Sequence, residues 1–235
     1  MDKPIPARFA RKRAGLPKSQ GLGRIWKGEL ATMDSFPRRA SPARFLLNDY
    51  VMSGLDWSGS MFCELVNGLV DSTERRLLII TGQSGAGKTI WCLELARQAA
   101  DSGISVEGLI SPAVFEHGSK VGIDLFDIVT KERKRLANRR PNLAANYTGR
   151  TWQLDFETLH WGNDLLAKIA DCQLFVLDEL GPMELVEGQG LTKGLDLIDA
   201  RKFALACVVV RPSLLTNALA RWPWAIALNS DEARP

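Results

Sequence analysis

One stretch of the sequence pairs glycines with a cation and a hydroxyl at a spacing that suits a phosphate. Gly82-Gln-Ser-Gly-Ala-Gly-Lys-Thr89 fits G-x-x-x-x-G-K-[ST] in full, between the apolar run Leu77–Thr81 and the helical pattern of 90–100. Backbone amides of residues 82–90 would form an anion nest at a helix N-terminus, where the helix dipole favours negative charge. Gly82, Gln83, Ser84, Gly85, Ala86, Gly87, Lys88, Thr89 and Ile90 are therefore the expected nucleotide-binding residues. Gly85 and Gly87 let the backbone turn sharply and approach phosphate oxygens. Lys88 supplies a point charge to the β- and γ-phosphates, and the Thr89 hydroxyl ligates Mg²⁺.

Such a loop needs an acidic partner. Leu174-Phe-Val-Leu-Asp-Glu179 is an apolar strand whose C-terminal end delivers Asp178 and Glu179, and ligands sit at that end of the strands in open α/β sheets. Asp178 is the expected second metal ligand, and Glu179 the group that orients or deprotonates an attacking water. Both acids also fit the bland role of helix caps.

The chemistry also calls for a cation at the γ-phosphate. Arg211 ends an apolar strand directly before Pro212, so it is a candidate γ-phosphate contact at the ligand-binding edge, with a capping or surface-pairing role as the more ordinary reading. Lys131, Arg133, Lys134, Arg135, Arg139, Arg140 and Arg150 form a second source, or simply a solvated face. Trp91 and Trp152 are expected in helix-face packing, with base stacking as the alternative; His117 and His160 have no partner at ligand spacing.

The elements that must position these groups follow from periodicity. Short apolar strands at 77–81, 106–110, 174–177, 205–210 and 225–228 alternate with helices at 90–100, 155–170, 191–202 and 212–221. This pattern implies a parallel sheet covered on both faces. Residues 113–115 and 121–128 flank the turn-compatible Glu116-His-Gly-Ser119 and read as a β-hairpin, while 130–150 reads as a loop or broken helix. Phe62, Leu65, Val66, Leu69 and Val70 recur at helical spacing within a linker over 48–72.

Charge divides the chain. Residues 1–47 carry eleven Lys/Arg against Asp2, Glu29 and Asp34, a net of +8, so the overall +3 leaves −5 for the remainder. With five prolines and no apolar period, this arm is expected to be disordered and to offer a surface for nucleic acid. It also has the look of an organellar leader, and Met33 or Met52 are alternative starts. No apolar run approaches the roughly 18 residues of a membrane span, and Cys63, Cys92, Cys172 and Cys207 are widely spaced. The expectation is a soluble, cytoplasmic protein with reduced thiols.

Taken with the Gly82–Thr89 loop, Asp178-Glu-Leu-Gly-Pro-Met-Glu-Leu185 resembles the small P-loop nucleoside-triphosphatases, whose archaeal, bacterial and human members share Asp-Glu-Ile-Gly-x-Met-Glu-Leu. The segment from Gly108-Leu-Ile to Gly118-Ser-Lys-Val-Gly-Ile-Asp-Leu125 resembles that family's hairpin. The resemblance runs from about residue 75 to about 228. It implies a three-layer α/β sandwich with a mainly parallel RecA-like sheet over 73–235. It further implies Mg²⁺-dependent hydrolysis of nucleoside triphosphates with loose base preference, with Lys88 and Thr89 on phosphate and metal, Asp178 on metal and Glu179 on water. Within that signature Glu184 is expected to brace the loop. Two departures stand out: Leu109-Ile-Ser-Pro112 replaces the aromatic and Thr-Glu pair common after the second strand, and the basic arm has no counterpart in compact members. The runner-up readings are a nucleoside or nucleotide kinase with a basic lid, and a nucleotide-switched binding module that uses the basic arm. Oligomeric state is not legible.

Overall fold

The sheet is built around strands that are apolar on both faces. A computed structural model describes the backbone of residues 44–47 and 50–53 and the full detail of 74–140 and 151–230. The arm's residues 1–43, the predicted helix around 62–70, Cys63, and Pro141, Gly149 and Arg150 lie outside the described residues. Strands β1 (Arg44–Leu47) and β2 (Tyr50–Ser53) pair antiparallel at the junction of the expected arm and linker.

The main sheet contains β3 (Arg76–Thr81), β4 (Val106–Ile110), β5 (Ala113–Glu116), β6 (Ser119–Asp127), β7 (Arg133–Arg139), β8 (Trp152–Leu154), β9 (Cys172–Leu180), β10 (Phe203–Val210) and β11 (Ile226–Asn229). Its order is β11-β3-β10-β9-β4-β6-β7-β8, with β5 paired to β6. The first five strands run parallel. β10 thus lies between the loop-bearing strand β3 and the acid-bearing strand β9, the RecA-like arrangement. From β6 onward the pairing is antiparallel.

The helices are α1 (Lys88–Asp101), α2 (Phe156–Leu166), α3 (Pro182–Leu185), α4 (Thr192–Asp199) and α5 (Leu215–Arg221), with a 3₁₀ turn over Pro212–Leu214. Because side chains alternate across a strand, β3 sends Leu78 and Ile80 to one core with Trp91, Cys92 and Leu95 of α1. Leu77 and Ile79 face a second core with Leu159 of α2, Leu195 and Ile198 of α4 and Ala218 of α5. The three layers follow from this division.

The expected hairpin is present, turning at His117-Gly118. The segment after it departs from the loop or broken helix read from the sequence: Arg133–Arg139 is the strand β7, paired with β6. Asp124 explains the difference. This nearly buried carboxylate accepts from Arg133 Nε at 2.6 Å and Arg135 Nε at 2.5 Å, so alternate basic residues form one face of a strand. Lys134 instead points to the ring of Trp161, 4.5 Å from its centroid. Trp91 is buried in the core and Trp222 donates from Nε1 to Asp199 at 2.8 Å, both structural roles.

β4 approaches β9 so closely that one position excludes any side chain. Gly108 has φ +132°, and a Cβ built there lies 1.9 Å from the Val176 carbonyl oxygen. Backbone cannot yield as a side-chain tip does, so strain and clash act together. Gly108→Ala is expected to destabilise the protein by at least about 2 kcal/mol, measured by urea unfolding; an unchanged midpoint would show that the two strands separate freely.

Candidate active site

The chain leaves β3 at Thr81 and enters the loop with Gly82, Gly85 and Gly87 all at positive φ. Gly87 is the residue that requires it: at φ +89° it caps α1 in the left-handed region. No acidic side chain occupies the first turn of α1, so the free amides there keep their attraction for an anion. Gln83, Ser84 and Gly85 are exposed, as is Ile90, while Gly82 is buried. Lys88 folds back on its own loop, donating to the carbonyl oxygens of Gly82 at 2.6 Å and Gln83 at 2.8 Å.

At the end of β9, Asp178 is 1% exposed. Its carboxylate accepts from the Thr89 hydroxyl and from the backbone N–H of Ser111. The loop, the acidic strand and the chain following β4 therefore meet at one side chain. Ser111 belongs to the Leu-Ile-Ser-Pro segment that departs from the family pattern, and it takes part through backbone, which no residue type announces. Burial first, and then the neighbouring Glu179 charge, push the Asp178 carboxyl up to about 7, against the opposing bonds from Thr89 and Ser111 and the charge of Lys88.

Among the described residues, the second carboxylate oxygen of Asp178 is buried without a hydrogen-bond partner. A buried orphan oxygen beside a hydroxyl suits a hard divalent cation whose other ligands are phosphate and water. No group of three or more His, Cys, Asp or Glu side chains gathers among the described residues.

Glu179 follows across a cis peptide and stays accessible, its side chain 31% exposed. Arg211 does reach this edge of the sheet, and it donates from Nε to Glu179 Oε1 at 2.5 Å. The two groups singled out separately for water and γ-phosphate are thus partners of each other. Glu184 is a brace, as its sequence position suggested: its two oxygens accept from the backbone N–H of Gly181 at 2.8 Å and Leu191 at 3.0 Å.

One neighbour was missed. Lys120, on β6, is half-buried, and its ammonium lies 5.1 Å from the centroid of Trp152. Loss of hydration pulls its ammonium below the usual range, and Glu179, Arg211 and Asp178 all act on it electrostatically. The sequence holds a faint signal, a lysine beside Gly118 at the tip of a hairpin, but nothing in its spacing relates it to residues sixty positions later.

The raised Asp178 carboxyl makes a testable statement about the protein without metal. Between about pH 4 and 7 the unfolded chain has released this proton while the folded protein retains it, so stability falls as pH rises and the loss is complete above about 7. In EDTA, wild-type protein is expected to lose on the order of 2 kcal/mol between pH 5 and 8 that Asp178→Asn does not lose. Parallel urea midpoints for the two proteins across that range would contradict this.

The family model described as NTPase matches residues 77–222. The nucleoside-triphosphatase THEP1 of Caldivirga maquilingensis is 28% identical over 128 residues, covering 54% of this chain and 72% of the relative. That of Thermofilum pendens is 29% identical over 138 residues, covering 57% and 74%. Among solved structures, a human cancer-related nucleoside triphosphatase is similar at 20% identity, with a TM-score of 0.49, covering 66% of this chain and 88% of that one. The matched span takes in the loop, the hairpin, the acidic strand and Arg211, and is well over half of the sequence: the chain belongs to the NTPase family.

Proposed function

We propose that this protein hydrolyses nucleoside triphosphates to diphosphate and phosphate, with Mg²⁺ and with little preference for the base. Hydrolysis of nucleoside triphosphates at the general level is what the family and its named relatives support. The observation that carries the finer reading is the meeting of Thr89 and Asp178, with Glu179 next to it at the open edge of the sheet.

In this reading the loop amides and Lys88 bind the phosphates, Lys88 exchanging the carbonyls of Gly82 and Gln83 for phosphate oxygens. Thr89 and Asp178 hold Mg²⁺, which when bound neutralises charge on the phosphates. Glu179 accepts a proton from water as the water oxygen bonds to the γ-phosphorus; the bond to the bridging oxygen breaks, and the diphosphate leaves with that electron pair. Arg211 holds the Glu179 carboxylate in place through its Nε.

Tolerance of the base is supported by the position of Trp91. The aromatic closest to the loop in sequence is sunk in the core and cannot stack on a base. A basic lid, the motive for the kinase alternative, loses Arg133 and Arg135 to Asp124. No helix among the described residues is long and apolar enough to cross a membrane.

Lys88→Ala should abolish phosphate release, and Glu179→Gln should lower it by about 10²- to 10⁴-fold while nucleotide binding survives. EDTA should stop turnover and Mg²⁺ restore it, with ATP, GTP, CTP and UTP turned over within roughly tenfold of one another. Unchanged turnover in both variants would remove the proposal.

A further inference from the structure

Hydrolysis at this site needs a cation for the three γ-phosphoryl oxygens, on which charge spreads in the transition state. Most of the basic side chains near the site already have partners. Arg211 gives its Nε–H to Glu179, while Arg133 and Arg135 are paired with Asp124. Lys88 is held by its own loop and serves the β- and γ-phosphates from the loop side. Lys120 differs from all of these. Among the described residues its ammonium has no protein hydrogen-bond acceptor and rests over the face of Trp152.

Burial strips part of the hydration from this ammonium, which an anionic partner would replace. Its surroundings show where that anion would sit. The charges that act on Lys120 are those of Glu179, Arg211 and Asp178, the groups at the end of β9 and β10 where the terminal phosphate arrives. Fold topology explains this placement. β6 runs antiparallel to β4, and the Asp124 N–H donates to the Pro112 carbonyl at 3.0 Å. The hairpin tip therefore projects beyond the C-terminal end of the parallel strands, where Lys120 pairs opposite Phe115 on the exposed strand β5.

We propose that Lys120 is a catalytic residue that contacts the γ-phosphoryl oxygens of a bound nucleoside triphosphate, with Trp152 as the positioning residue that supports its chain. This rests on the hydrolytic reading above. A lysine suits the task because it offers a compact charge with three rotatable donors to a group that changes shape during reaction. The β5–β6 hairpin then acts as a sensor of the third phosphate, since a diphosphate leaves Lys120 without its acceptor.

The test compares wild type, Lys120→Met, Lys120→Gln and Lys120→Arg by steady-state phosphate release and by binding of ADP and a non-hydrolysable ATP analogue. Removing the charge is expected to lower kcat by about 100-fold or more, as loss of one preorganised transition-state donor does, with KM moving less than about threefold. Lys120→Arg should recover to within about tenfold of wild type, which a merely structural role would not predict for a longer, planar side chain. Affinity for ADP should be unchanged, while the preference for the triphosphate analogue over ADP shrinks in the Met and Gln variants. Turnover within about threefold of wild type in both neutral variants would overturn the proposal. If wild type itself releases no phosphate, the hydrolytic reading fails separately; the analogue-to-ADP preference then still decides whether Lys120 meets the third phosphate, and an unchanged preference overturns it.

Discussion

The site turns on a carboxylate that water hardly reaches. Asp178 sits at the end of a strand buried on both faces, and the hydroxyl of Thr89 and an amide from Ser111 both bond to it. One side chain thereby ties the first turn of α1, the end of β9 and the exit of β4 together. Its charge is disfavoured by burial and by Glu179, yet favoured by those two bonds and by Lys88. Under the function proposed above, a cation at the orphan oxygen would resolve that discomfort.

The sheet order makes that meeting possible. Placing β10 between β3 and β9 separates the loop from the acids by two strand spacings, about 10 Å. The side chains of Thr89 and Asp178 cross that gap from opposite sides. The same intervening strand delivers Arg211 from its C-terminal end, which is why an arginine thirty-two residues further along reaches Glu179. The antiparallel half of the sheet adds a second boundary, with β6 and β8 bringing Lys120 and Trp152 to the same edge.

Much of this was legible in the residues. The loop is a local motif whose glycines, lysine and threonine lie within eight positions, and the acidic strand is a local apolar run ending in two acids; short-range rules read both. Glu184 was read as a brace, and it is one. The strand β7 was not legible, because its basic alternation looks like a solvated loop until Asp124 is known to lie across from it. Lys120 and the Arg211–Glu179 pair escaped for the same reason. Each depends on which distant strands become neighbours, and residue spacing carries no record of strand order.

Lys88 is bonded within its own loop. With Lys88 bonded to the carbonyls of Gly82 and Gln83, binding is an exchange of one set of oxygens for another rather than the capture of an anion by a bare charge. An incoming group must offer more than two carbonyls already provide. Under the proposed function, small inorganic anions and monophosphates would give little surplus over what they displace, whereas a polyphosphate chain would engage the amides, the lysine and a metal at once. Under the proposed function, the loop would therefore sort ligands by how many of its groups they engage at once.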